Sequence, residues 1–508
     1  MIDYIKNNFR KILLDSLVII SNLTIIISYF IIKQINNLDE IWNFNTARQI
    51  MNGLIPYKEI SMITTPFLPS LNSIFLKIFG DELFIFRIIS AVIITLLLFV
   101  IYKIMSELLN NRKIAIISIE GILILYISEF CLDYNFFSLL LLLNIILVEI
   151  KINKINDSNL KHLLIGILSG LAICTKQTIG IFIATFCVLL PLITDKQILI
   201  KDRIKKSAYR VLGICIPIII FVVILIITNS LVDFIDYAIL GIKTFKNVIS
   251  YKGLLQNDKT YIKVLSILIP IIIIAMMIFE LIYIISKKLY KNDSISKMNI
   301  LILYSFPMLV TIYPIADTVH FLIAVLPVII VILYIFFKAM IEIFEKINIK
   351  DKRYISNLLQ YSIIFLLAIF IIKPTIDNYK NYEKSIKTNL SHYTKLSISQ
   401  NTENIIENLR LFYNDEKHVI LLDAAAAIYN IPLNKYNKNY DMFLKGNIGK
   451  NGEEGIIKEI QNSKDCVYLV KKKSMPMNWQ TPTKVIDYVR KNLQYQGTVD
   501  IFDIYYKD

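Results

Sequence analysis

The feature that most limits what this chain can fold into is a repeated alternation. Stretches of about 20 apolar residues are separated by short segments rich in lysine. A helix of that length rises about 30 Å, the thickness of a bilayer's hydrocarbon core. About eleven such spans can be placed, over 12–32, 83–105, 113–130, 135–150, 162–176, 178–194, 208–229, 262–286, 299–316, 319–338 and 355–373. A 508-residue chain that is 56% hydrophobic, with a mean hydropathy of +0.58, fits no ordinary soluble class. The fold class expected is an α-helical polytopic membrane protein embedded in the lipid bilayer.

A net charge of +15 invites a nucleic-acid reading, which the distribution excludes. The cations cluster in alternate short loops: the N-terminus, Asn110–Lys113, Lys151–Lys161, Lys196–Lys206, Lys287–Lys297 and Lys338–Arg353. The intervening loops, 36–82, 131–134, 230–261 and the turn near Asp317, are much poorer in Lys and Arg. By the positive-inside rule the N-terminus is cytoplasmic, and an odd number of spans leaves the C-terminus extracytoplasmic. The five cysteines contain no CxxC pair and fall mostly in or beside apolar runs, so they read as small buried residues rather than a disulfide framework or zinc site.

Two segments are more than linkers. The first outer loop, 33–82, carries Asp39-Glu40, then Asn45 to Gly53 as a helical turn or two, then the stop Gly53-Leu-Ile-Pro56-Tyr57. Thr65-Pro66 opens a further helical piece, Phe67 to Phe79, closed by Gly80; its apolar residues fit a helix lying along the membrane surface. Loop 230–261 places Phe234, Tyr237, Leu240, Phe245 and Tyr251 among lysines, a second candidate wall of an interfacial cavity. Beyond Pro374 no spanning run occurs. The division expected is a membrane domain, 1–374, and a small extracytoplasmic α/β domain, 375–508. In the latter, His418–Leu422 and Cys466–Val470 read as strands, Gly455–Gln461 and Pro482–Leu493 as helices, and Thr498–Tyr505 as a last strand.

Paired carboxylates at a membrane mouth can take a proton from a hydroxyl or hold a cation. The structural alternative for Asp39 is a helix N-cap. The order Asp39-Glu40, Gly53-Leu54-Ile55-Pro56-Tyr57, Thr65-Pro66-Phe67, Phe79-Gly80 and Arg87 resembles the first outer loop of the GT-C membrane glycosyltransferases. The nearest branch is that of the protein O-mannosyltransferases and lipid A aminoarabinose transferases. Gly170-Leu171-Ala172-Ile173-Cys174-Thr175-Lys176 is similar to that family's Gly-Leu-Ala…Thr-Lys segment. Thr65-Pro66-Phe67 departs from it, since many members carry Lys-Pro-Pro there.

The resemblance implies sugar transfer from a polyprenyl-phosphate donor to a protein, lipid or glycan acceptor at the outer face, with inversion. Asp39 is then the general base and Glu40 its orienter or second contact. Lys176, Arg87 and His320 are candidates for the donor phosphate, with Arg48 and Lys58 weaker ones. Pairing with an acid of the loop is the alternative for Arg87, and a snorkelling lysine that for Lys176. Asp133, Tyr57 and Asp317 are candidates for acceptor or sugar contacts; Asp317 and His320 share one helical face. No cofactor is expected, and no metal site is indicated by the visible ligands. Two other readings compete. A secondary transporter or flippase would use Glu120 and Glu280, which fall inside spans, but expects repeats and broken paired helices. A surface-glycan polymerase or ligase expects paired arginines in a large outer loop.

Overall fold

The structure, a computed structural model, describes residues 2–152, 157–194, 199–245, 249–286, 293–346, 352–415, 418–472 and 481–507. Parts of four basic loops, 153–156, 195–198, 287–292 and 347–351, lie outside the described residues. Among those described, eight helices are long and apolar enough to cross a membrane: Lys11–Ile32, Leu83–Leu109, Tyr134–Lys151, Ile200–Ile227, Thr260–Ile285, Ser294–Ile312, Thr318–Lys346 and Arg353–Lys384. The other three expected spans are shorter helices, Arg112–Tyr126, Asn159–Thr175 and Gln177–Thr194. The polytopic helical class read from the sequence is therefore the class observed, together with a small C-terminal sheet. The chain divides into two compact units.

The first unit comprises Met1–Phe30, Ser90–Ile219 and Ile249–Lys380. Tyr134–Lys151 and Thr318–Lys346 form much of its interior, with Phe136, Leu139, Leu142, Ile145, Phe321, Val325 and Val328 buried. Ile267, Ile271, Ile274, Met277 and Ile278 of Thr260–Ile285 are instead exposed, as suits side chains facing lipid. The helix Asn159–Thr175 meets Ile200–Ile227 through glycine. A Cβ at Gly166 would lie 2.1 Å from the Arg210 carbonyl oxygen, and one at Gly170 2.6 Å from that of Ile214. Small residues four apart let two helix backbones touch, and this contact sets the line of the helix that ends at Lys176.

The second unit comprises Ile31–Ile89, Ile220–Val248 and Asn381–Asp508. Its four-stranded sheet has the order β1-β2-β4-β3, with β1 Val419–Leu422, β2 Cys466–Lys471, β3 Gln494–Val499 and β4 Phe502–Lys507. β1 and β2 are parallel, joined by a crossover that contains the helix Gly452–Asn462; β4 runs antiparallel to both its neighbours. The single last strand expected over 498–505 is a hairpin instead. Asp500 takes a left-handed φ of 51°, which reverses the chain where strand alternation alone shows no break. Ile456, Ile460, Val485 and Val489, four apart on their helices, pack on Tyr468 and Val470 of the sheet. Truncating any one to alanine removes buried apolar surface and leaves a cavity.

The first helix of loop 33–82 runs Leu38–Met51, longer than the turn or two expected from Asn45. Its buried residues include Asn43, Asn45, Arg48 and Gln49, so its apolar periodicity is weak and its start is hidden. The polar face is satisfied by residues far along the chain. Asp441 accepts from Asn45 Nδ2 (3.1 Å), Gln49 Nε2 (2.8 Å) and Asn430 Nδ2 (3.0 Å). Burial pushes the Asp441 carboxyl up to about 6 from 3.8, against the opposing pull of those amide donors. Because the folded state holds the proton more tightly than the unfolded chain, this contribution is fully present below about pH 3.8 and is lost as pH rises through about 6. The loss amounts to about 3 kcal/mol. Thermal unfolding of the wild type between pH 4 and 7 should show it, and Asp441→Asn should remove it.

Candidate functional site

In the second unit the cap of Leu38–Met51 is Asn37, whose side-chain oxygen accepts from the Glu40 N–H at 3.1 Å. Asp39 is therefore not the cap. It sits half-buried in the first turn, where the positive end of the helix favours a carboxylate. Its neighbour is locked. Arg87 Nε lies 2.9 Å from Glu40 Oε1, and Nη2 lies 2.8 Å from Oε2. The same guanidinium donates to the Lys33 carbonyl at 2.6 Å and has no exposed surface. Such a two-pronged pair fixes direction as well as charge. It ties the first turn of Leu38–Met51 to the start of Leu83–Leu109. Pairing with a loop acid, one of the two roles weighed for Arg87, is what the guanidinium does here.

Arg48 lies further along the same helix. Its Nε reaches both Asp81 carboxylate oxygens at 2.9 and 3.0 Å, and its Nη2 meets His392 Nε2 at 2.9 Å and Asn434 Oδ1 at 3.0 Å. Arg48 is buried, which gives it a structural role and not that of a phosphate contact. Lys58 is exposed. Tyr57, expected at the acceptor or sugar, is fully buried: its hydroxyl donates to the Thr64 carbonyl at 2.8 Å and its ring meets Phe234 edge-on at 5.2 Å. With Ile60, Met62, Leu225 and Tyr237 it joins loops 33–82 and 230–261 in one apolar cluster. A buried ring of this kind packs; it has no surface to offer a sugar.

In the first unit a second polar cluster forms at the turn 131–135. Asp133 caps Tyr134–Lys151, accepting from the Phe136 N–H at 2.8 Å and from Asn135 Nδ2 at 2.7 Å. The Asn135 amide oxygen accepts in turn from Lys176 Nζ at 2.8 Å, and that ammonium lies 4.6 Å from the centre of the Tyr134 ring. Burial raises the Asp133 carboxyl from its ordinary range, while the charges of His320 and Lys176 pull it back. Burial would also raise Asp317, but the hydrogen bond and charge of His320 outweigh it and hold that carboxyl low. His320 Nδ1 lies 2.9 Å from Asp317 Oδ1. This turns Nε2 to the opposite edge of the ring. The fold thus brings Asp133, Lys176 and His320 within electrostatic reach of one another. Among the described residues no group of three His, Cys, Asp or Glu side chains is placed to hold a metal ion.

Residues 64–227 match the protein family described as dolichyl-phosphate-mannose-protein mannosyltransferase. No curated protein matches the chain. Among solved structures, ArnT from Cupriavidus metallidurans in the apo state is similar, with a TM-score of 0.59 at 10% identity, covering 98% of each chain. The same protein bound to undecaprenyl phosphate gives 0.57 at 9% identity, covering 97% of each. The chain has the fold of ArnT. The likeness is one of fold, since so few residues are shared, and the matched family segment begins after Asp39, Glu40 and Tyr57.

Within this fold, sequence reasoning missed Asn135, His392, Asn434 and Asp441. Asn135 is legible beside Asp133 as a local amide–carboxylate turn. The other three lie hundreds of residues from the Arg48 helix they satisfy and leave no local pattern. Of the two acids inside spans, Glu280 lies beside the Asn299 amide, whereas Glu120 keeps its Oε2 buried without a hydrogen-bond partner among the described residues.

Proposed function

We propose that this protein transfers a sugar from a polyprenyl-phosphate donor to an acceptor at the outer face of the cell membrane, with inversion. The observation that carries the reading is a fold shared along nearly the whole chain with ArnT, a protein seen bound to undecaprenyl phosphate. The match of 64–227 to a dolichyl-phosphate-mannose-dependent family supports it independently. Asp39 is the general base. The acceptor hydroxyl or amine attacks the anomeric carbon, its proton passes to the Asp39 carboxylate, and the bond to the lipid phosphate breaks. Glu40, clamped by Arg87, holds the turn that presents Asp39. Lys176 and His320 offer positive charge to the phosphate as it leaves. Asp133 and Asp317 hold those two cations in place and supply acceptor or sugar contacts. In this reading the N-terminus is cytoplasmic and the segment 375–508 is an extracytoplasmic domain. The exposed Ile74, Ile78 and Phe79 of Phe67–Phe79 then rest at the lipid surface.

The test is release of free polyprenyl phosphate by purified protein given polyprenyl-phosphate-linked sugars and candidate acceptors. Turnover of none of them by active, folded protein would count against the reading. Lys176→Gln should weaken donor binding about 10- to 100-fold, as expected for one lost hydrogen bond to a charged group. Isothermal binding of the donor lipid checks it, and unchanged affinity would remove Lys176 from the phosphate site.

A further inference from the structure

The first unit contains a second site that sugar transfer does not use. A cavity of about 420 Å³ is lined by Lys11, Tyr102, Lys103, Glu107, Arg112 and Lys151, among others. Lys151 ends the helix whose other end Asp133 caps. Eighteen residues of helix separate the two by about 27 Å, so the cavity lies at the opposite membrane surface from the Asp133–Lys176 cluster. It joins three segments that charge bias alone assigns to one side: the N-terminus, the loop at 110–113 and the start of the loop at 151.

Its charge is in surplus. Lys103 pairs with Asp15, and Arg112 Nη1 lies 3.6 Å from the same carboxylate. Lys11 and Lys151 form no ion pair among the described residues, and Glu107 is the remaining acid of the lining. Tyr102 donates its hydroxyl to Asp15 at 3.1 Å, and with Phe99 its ring lies beneath the Lys103 ammonium. The cavity is thus a polar, positively charged recess. Beside Lys11 on the same helix, Ile12, Leu13 and Leu17 are exposed, an apolar strip that leads from the recess along the span. Cations at the mouth of a strip facing hydrocarbon suit a phosphodiester that carries acyl chains.

We propose that this recess binds the phosphodiester headgroup of an anionic glycerophospholipid, with its acyl chains along Ile12, Leu13 and Leu17. Inorganic phosphate offers the same anion without the chains, and the two sources separate in one experiment. The full chain in detergent is titrated with a fluorescent phosphatidylglycerol and competed with unlabelled phosphatidylglycerol, phosphatidylcholine or inorganic phosphate. Phosphatidylglycerol is expected to compete, and phosphatidylcholine and phosphate to fail at the same concentration. Lys11→Gln with Lys151→Gln should weaken binding about 25-fold, about fivefold for each cation removed. Both side chains are exposed, so the fold should survive. Lys201→Gln, an exposed lysine outside the recess, should leave affinity unchanged. Equal weakening by Lys201→Gln, equal competition by phosphatidylcholine, or displacement by inorganic phosphate at lipid concentrations would each overturn the assignment.

Discussion

An Asp39→Asn protein is expected to lose sugar transfer by about 10²- to 10⁴-fold, the usual share of a positioned general base. Donor-lipid binding should stay at the wild-type level. The substitution is close to isosteric, and two features that hold the turn belong to other side chains. Asn37 supplies the cap, and the Glu40–Arg87 pair anchors the first turn. Stability should therefore change little, which separates chemistry from folding. Single-turnover transfer with purified protein in liposomes measures the rate, and equilibrium binding of the donor lipid measures affinity. A base also leaves a pH signature. The wild-type rate should climb as the carboxylate deprotonates and then level off, and that acidic limb should be missing in the variant. Wild-type turnover by Asp39→Asn, or a matching loss of donor binding, would remove Asp39 from the chemistry.

The second large effect concerns stability. Arg87→Met should destabilise the protein by about 3–5 kcal/mol, because it leaves the Glu40 carboxylate buried without its cation. Glu40 is 8% exposed and Arg87 0%, so water cannot replace the lost partner. Removing both charges, as in Glu40→Leu with Arg87→Met, should restore most of the stability, since two apolar side chains need no pairing. Thermal or denaturant unfolding of the two single variants and the double variant gives the coupling energy directly. If Arg87→Met were as stable as the wild type yet bound the donor lipid weakly, the guanidinium would belong to the phosphate site and not to the turn. The double variant carries a further expectation: folded, with slowed transfer, because Asp39 would then sit on an unanchored turn.

Part of this protein is legible in the amino-acid sequence alone. Runs of about 20 apolar residues leave almost no alternative to spanning helices, because each backbone polar group must be satisfied within its own segment. Thr65-Pro66 and Gly80 delimit the helix Phe67–Phe79 for equally local reasons: proline favours a helix start, and Gly80 takes a φ of 121°. Lys176 is legible as the cation that closes an apolar helix, a place where a lysine either snorkels or meets a partner.

The tertiary structure decided which partners the remaining polar residues meet. Nothing local distinguishes Arg87, clamped on Glu40, from Lys176, resting on Asn135 and the Tyr134 ring. Tyr57 closes the turn Gly53-Leu-Ile-Pro56-Tyr57, yet it packs inside with Phe234. The polar face of Leu38–Met51 has the pattern of a poor helix; Asp441, His392 and Asn434 are what satisfy it. The physical reason is range. Hydropathy and turn chemistry act over a few neighbouring residues and are written into them. A hydrogen bond or ion pair is set by whichever side chain the folded chain delivers to within about 3 Å, and that partner can come from anywhere in the sequence.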